Sequence, residues 1–321
     1  MKIIDAHCDA LSKLIRDEGL SFHVPNNKME SQFEYMKKVN MAAQIFAVFV
    51  PPGIPSNQRF YTALKMVEKF HSDVVKKDSL IPILSARDLE KVCAEKADIR
   101  GGILSLEGAD ALEGNLLYLT ILYRLGLRAL GFTWNFRNEA ADGVEEPQAG
   151  GLSVFGKQVL HKANELGIML DVSHLSEKGF WNVVEESKDP FIASHSNCQH
   201  VYFDKRNLSN EQLKAIFTKG GVVGLTFIPA FITNKKDVNV IHFLKHVDHV
   251  LALGGENHLA FGSDFDGMDY TMDDLINGER YIILIEALLK QYKEEQVKKW
   301  LHGNWMRVFS AVLKEESETG N

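Results

Sequence analysis

Cysteine is scarce. Cys8, Cys93 and Cys198 are odd in number and far apart, which argues against a disulfide framework and favours a reducing compartment. Positive charge is also short. With a formal net charge of -7 the chain lacks the clustered basic surface that nucleic acid or an anionic membrane would need, so neither is an expected partner. No apolar run approaches the roughly 20 residues of a bilayer crossing, and no charged-then-apolar leader with a small-residue cleavage site opens the chain. The polar tail, from Leu313 to Asn321, carries no lipid-anchor signal. A cytoplasmic protein is the expectation. Also missing are a Gly-X-Gly-X-X-Gly turn after the first strand, which weighs against a dinucleotide fold, and any repeat or linker. A single domain over residues 1–321 is therefore expected.

What is present is an alternation. Hydrophobic content of 45% and charged content of 25% suit a soluble globular chain with one sizeable core. Short apolar runs at 2–4, 41–50, 101–106, 127–133, 168–172, 191–194, 221–227 and 259–263 read as strands. Segments with helical spacing lie between them, at 10–18, 29–39, 57–75, 86–96, 115–124, 153–166, 176–186, 210–217 and 237–252. Strands that are continuous apolar runs, rather than in/out alternations, belong to parallel sheets covered on both faces. Eight such strands predict an α/β protein, a (β/α)₈ TIM barrel.

Residues able to hold a metal or move a proton recur just where those strands end. His7 and Asp9 follow the first, Glu107 the third, His174 the fifth, His195 the sixth and Asp264 the eighth. In a barrel the carboxyl ends converge on one face, where active sites of this fold are built. On strand spacing His7 and Asp9 share a side and Cys8 points away. Three histidines and three carboxylates exceed the three protein ligands usual for one catalytic zinc. Two ions are implied, with Glu107 shared: His7, Asp9 and Glu107 for the first, Glu107, His174 and His195 for the second. The nitrogen-rich set favours zinc over manganese or iron. Two ions about 3.5–4 Å apart activate a water and polarise a carbonyl or phosphoryl oxygen. Asp264, not needed as a ligand, is the candidate to move the proton.

The chain resembles the membrane (renal) dipeptidase family of the amidohydrolase superfamily over nearly its whole length. The resemblance is carried by Asp5-Ala6-His7-Cys8-Asp9, Ser105-Leu106-Glu107-Gly108, Gly151-Leu152-Ser153-Val154-Phe155-Gly156, Leu170-Asp171-Val172-Ser173-His174, Ser194-His195-Ser196-Asn197, Arg206-Asn207 and Gly262-Ser263-Asp264-Phe265-Asp266-Gly267. It implies an amidohydrolase-type barrel with two Zn²⁺ per chain, held by the residues just named, and Asp264 as the proton-transfer residue. It also implies that Arg206 binds the terminal carboxylate of a dipeptide, a task suited to a guanidinium fork. The implied activity is hydrolysis of dipeptides, including those with a D-residue at the carboxyl-terminal position, and family members are commonly homodimers. One position departs. Where relatives carry a histidine after the fourth strand, Phe132-Thr133-Trp134-Asn135 puts Trp134, whose indole has one N–H donor and no basic nitrogen. Trp134 either packs the substrate pocket or orients a polar group there. Two other functions fit the same ligands: hydrolysis of N-acyl amino acids or lactones, and a non-catalytic metal-binding barrel.

Several further signals are set aside or left open. His242, His246 and His249 share a helical surface but lie away from the strand ends, and a solvated helix edge is expected. Asp5 and Asp171 either support the histidines or make local loop contacts. The loop from Asn135 to Gly151, with Glu139, Asp142, Glu145 and Glu146, reads as a solvated acidic loop able to cover the site.

Overall fold

A computed structural model describes residues 1–314; the polar tail beyond Lys314 lies outside the described residues. One parallel sheet holds β1 (Ile3–Cys8), β2 (Met41–Phe49), β3 (Leu80–Pro82), β4 (Arg100–Glu107), β5 (Leu127–Gly131), β6 (Met169–Asp171), β7 (Ile192–Ala193), β8 (Val222–Leu225) and β9 (Leu259–Phe261). Eight of them run in the order β1-β2-β4-β5-β6-β7-β8-β9, and β3 pairs with the start of β4, off that path. The ends of the row meet. The Asp264 N–H donates to the His7 carbonyl at 3.1 Å and the Asp9 N–H to the Phe265 carbonyl at 2.9 Å, bringing the eight-stranded circuit nearly to closure. With helices in the connections this is a (β/α)₈ barrel, as the alternation predicts.

The inward face is filled by Ile4, Ala6, Ile45, Ile103, Ala129, Met169, Ile192, Val222 and Ala260, closed off by Trp305, Val308 and Phe309 of the last helix, Asn304–Val312. Residues Ile45 and Ile103 are register partners, as are Phe49 and Glu107 four positions on. Alternation along β4 therefore carries Ile103, Ser105 and Glu107 on one face, apolar deep in the barrel and polar at its carboxyl rim. Helices are started by side-chain caps: Ser153 accepts from the Gly156 N–H at 3.0 Å, and Ser85 with Asp88 and Ser209 with Gln212 form reciprocal capping boxes.

Some elements differ from expectation. The 29–39 helix shrinks to Phe33–Lys38 because the preceding backbone is used elsewhere. The Glu30 and Ser31 N–H groups donate to Asp266, at 2.7 and 3.0 Å, and the Gln32 amide donates to the Asn26 and Met29 carbonyls. That segment is thereby pinned to the rim after β9. The strand β3 and the carboxyl-terminal helices Tyr281–Leu289, Glu294–Lys298 and Asn304–Val312 are additions to the sequence reading.

Of the three helical histidines, His242 and His249 are half-buried, but His246 does not lie on a solvated edge. His246 is fully buried, accepting at Nδ1 from the Cys198 N–H (3.1 Å) and donating from Nε2 to the Ile232 carbonyl (3.1 Å). The packing of Phe243 and Val247 turns this edge of the helix inward. Burial holds the imidazole neutral and lowers its pKa to about 4. The unfolded chain, with an ordinary histidine, binds the extra proton first as pH falls, so this group costs stability between about pH 6.5 and 4. In metal-free protein the urea midpoint is expected to fall across that window. In His246→Gln the slope is smaller by about 1.4 kcal/mol per pH unit at most; equal slopes for the two proteins would contradict this assignment.

Candidate active site

Every strand end named in the sequence delivers its side chain to one place. His7 Nε2 lies 3.6 Å from Asp9 Oδ2, 3.5 Å from Glu107 Oε2 and 3.8 Å from Asp264 Oδ1. The other Glu107 oxygen, Oε1, lies 3.1 Å from His174 Nε2 and 3.9 Å from His195 Nε2. His174 and His195 turn their Nε2 atoms toward each other at 2.8 Å, and Asp264 Oδ2 stands 3.9 Å from His195 Nε2. Glu107 and Asp264 thus each present one oxygen to His7 and the other to the His195 side. All six residues are buried.

The local backbone explains why these residues meet. Between Asp5 and Cys8 the register of β1 against β2 shifts, three residues stepping past two of the partner strand. Asp9 has already left the strand, as the residue that starts the helix Ala10–Arg16. His7 and Asp9 therefore converge through a register shift and a corner, not through the simple pleat expected from their spacing. Cys8 does point away, into the hydrophobic core. His174 and Asp264 both adopt left-handed backbone, with φ of 65°, a strain that non-glycine residues sustain mainly at functional sites. Gly267 is required for a different reason: a Cβ there would overlap Asp9 Oδ2 and Asp264 Oδ1.

Electrostatics pull the groups apart. Burial pushes the Asp264 carboxyl up to about 7, with Asp9 and Glu107 adding repulsion against the opposing pull of His7. Burial works the same way on Glu107, but His7 and His174 outweigh it and hold that carboxyl below its usual range. Burial also keeps His195 well below the ordinary imidazole value and lowers His174 to about 4, helped in each case by neighbouring positive charge. Neutral imidazoles are the form that offers a lone pair to a cation. Both ring nitrogens of His7 are buried without a hydrogen-bond partner, a costly state for polar atoms unless a ligand satisfies them. Three clustered carboxylates, facing neutral histidines and an unpartnered ring, form a donor set that suits metal ions.

The surrounding shell answers the open points. Asp171 accepts from the Ser173 and Ser194 N–H groups and from the Ser194 hydroxyl, and Ser194 Oγ lies 2.7 Å from His195 Nδ1; Asp171 thus supports His195 through a serine. Asp5 instead accepts from Ser263, at 2.7 Å from N–H and 2.6 Å from Oγ, joining β1 to the strand end that carries Asp264. The long loop is not simply solvated. Asp142 is buried and accepts a two-pronged bond from Arg137 at 2.6 and 2.9 Å. Asn135, which on sequence only opens this loop, reaches His174 Nδ1 at 2.8 Å.

A cavity of about 450 Å³ opens onto the cluster, lined among others by Phe49, Trp134, Arg206, Ile228 and Phe231. Arg206 is buried, donates from Nη2 to the His195 carbonyl at 3.1 Å, and stands over the Phe231 ring. Its Nε has no partner. Trp134 faces Phe49 with ring centres 5.5 Å apart and lies 6.4 Å from the His174 ring.

A (β/α)₈ barrel with this donor set at its carboxyl rim defines a metal-binding hydrolase of the amidohydrolase type. The family model for membrane dipeptidase (peptidase family M19) matches residues 1–320. The chain belongs to that family and is a metallodipeptidase. It is 33% identical over 244 residues to an uncharacterized protein in the pqqA 5' region of Klebsiella pneumoniae, covering 72% of this chain and 89% of that one. Among solved structures, a metallopeptidase from Rhodobacter sphaeroides, liganded with a phosphinate mimic of the dipeptide L-Ala-D-Ala, superposes with a TM-score of 0.90 at 27% identity, over 97% of this chain and 99% of that one. A second metallopeptidase, dipeptidase AC, gives 0.90 at 28% identity, over 98% and 99%. No helix among the described residues is long and apolar enough to cross a membrane.

Proposed function

We propose that the chain is a two-zinc dipeptidase that accepts a D-residue at the carboxyl-terminal position. The observation that carries the two-ion reading is Glu107, whose two oxygens face different histidines, Oε2 toward His7 and Oε1 toward His174 and His195. His7, Asp9 and Glu107 hold one ion; Glu107, His174 and His195 hold the other. When bound, such a pair supplies an acidified water and polarises the scissile carbonyl. The chain's own groups do the rest. Arg206 anchors the substrate carboxylate through its guanidinium edge. Asp264 takes the proton released from the attacking water and delivers it to the departing amine. Zinc is favoured by three imidazoles among five ligands, and the D-residue by the L-Ala-D-Ala mimic bound to the Rhodobacter sphaeroides relative.

The test is a panel of L,L- and L,D-dipeptides with the zinc-loaded chain, alongside N-acetylated and amidated controls. Turnover of free dipeptides and not of the carboxyl-amidated ones is expected; no turnover of any dipeptide by fully metallated protein would overturn the function. Trp134 and Phe49 give the substrate an aromatic wall rather than a titrating group. Trp134→Ala is expected to raise KM roughly tenfold with kcat little changed, as loss of uniform binding does. A fall confined to kcat would assign the indole to the reacting centre instead.

A further inference from the structure

The three histidines of the cluster are oriented in three different ways. His195 is held from its own strand end, by Ser194. His7 has no hydrogen-bond partner on either nitrogen. His174 is held from outside, by Asn135, 39 residues earlier and on a different loop, with Nδ1 to Oδ1 at 2.8 Å. A neutral imidazole carries one N–H, and an amide oxygen can only accept. The proton therefore sits on Nδ1, and the Nε2 lone pair is turned to the centre, 3.1 Å from Glu107 Oε1 and 2.8 Å from His195 Nε2.

Asn135 is itself fixed by the loop it opens. Its carbonyl accepts from the Glu145 N–H at 2.9 Å, and a Cβ on Gly143 would overlap the Asn135 carbonyl, so only glycine lets the returning chain pass so close. The same turn grips His174 a second time, with the Val144 N–H donating to the His174 carbonyl at 2.8 Å and Thr133 Oγ1 donating to it at 3.2 Å. Ring and main chain of one histidine are thus both held by the segment 133–145, which also contributes Trp134 to the cavity wall.

We propose that Asn135 is a positioning residue that fixes the Nδ1–H form of His174 and thereby sets the affinity of the ion shared by Glu107, His174 and His195, tying that ion to the fold of the 135–151 loop. This rests on the two-ion reading. An outer partner of a ligating histidine is typically worth 10–100-fold in metal affinity.

The experiment is a zinc titration of the full chain against a chelator, with thermal melting of the metal-free form as a folding control. In Asn135→Leu, similar in size but without an acceptor, one ion is expected to bind roughly 10–100-fold more weakly while the other and the metal-free melting point are unchanged. Asn135→Asp, which can only accept, restores the wild-type value; Asn135→Ala replaces the leucine variant if leucine is not accommodated. Wild-type affinity for both ions without the acceptor, or equal loss in the leucine and aspartate variants, would overturn the proposal. A wild type that holds fewer than two ions overturns the two-ion reading first, and this inference with it.

Discussion

Replacing Glu107 with alanine is expected to lower the zinc content from two ions per chain to about one or fewer and to reduce dipeptide hydrolysis by at least about 10³-fold. The expectation follows from the position of a single carboxylate. Glu107 stands at the end of β4 with Oε2 3.5 Å from His7 Nε2 and Oε1 3.1 Å from His174 Nε2. Remove it and the carboxylate left facing both histidine groups is the more distant Asp264, 3.8 Å from His7 Nε2 and 3.9 Å from His195 Nε2. His174 and His195 then keep two neutral nitrogens and a share of Asp264, without the 3.1 Å contact that Glu107 makes to His174, short of the three protein ligands a catalytic zinc normally takes. Asp264 completes a three-residue set with His7 and Asp9, and a carboxylate committed there is drawn away from His195, so the second ion is the one expected to be lost. The loss should fall unevenly. Metal analysis after dialysis, beside hydrolysis of one good dipeptide, decides the matter. An alanine variant that holds both ions with wild-type affinity would contradict the shared ligand, and circular dichroism separates metal loss from unfolding.

How far all this could be read from the amino-acid sequence depends on what kind of physics placed each residue. Strands such as Met41–Phe49 and Arg100–Glu107 are long apolar runs buried along their length, and burial on both faces leaves a one-dimensional signature. Because each candidate ligand lies at or within a few residues of the carboxyl end of such a strand, the convergence of His7, Glu107, His174, His195 and Asp264 follows from topology. The three-residue β3 has no such signature: it is defined by pairing with Arg100–Gly102, some 20 positions away. For Asp9 the spacing predicts the right neighbours through a different geometry, since a register shift and a helix start, not a pleat, bring it to His7. Asn135 carries no signal of its own, because an asparagine opening an acidic loop looks like any turn residue; its contact with His174 exists only once that loop has folded back. His246 misleads for the opposite reason. Polar spacing on a helix suggests a wet edge, yet the Cys198 N–H and the Ile232 carbonyl, on separate segments, satisfy both of its ring nitrogens in the core.

Asp264→Asn should retain the fold and both ions while lowering kcat by roughly 10²–10⁴-fold, the range supplied by a positioned proton-transfer group. Asparagine has the same shape and is among the few residues that tolerate left-handed backbone, which matters because Asp264 has φ of 65°. Its amide cannot accept a proton from water and return it to an amine. KM should change little, because Arg206 and the aromatic wall are untouched, and a drop in kcat alone marks an interaction used only on the way through the transition state. The geometry sets a second outcome against this one. Asp264 Oδ1 lies nearly as close to His7 Nε2, at 3.8 Å, as Asp9 Oδ2 does at 3.6 Å, so the carboxylate stands where a ligand of the first ion also could. Zinc stoichiometry tells the two roles apart: two ions with slow turnover assign the proton to Asp264, one ion assigns it to the metal, and two ions with undiminished turnover remove it from the reaction altogether. In the metal-free chain burial lifts this carboxyl to about 7, and bound cations would draw it back toward the anion, so the zinc stoichiometry and the turnover, not that value, decide between the two roles.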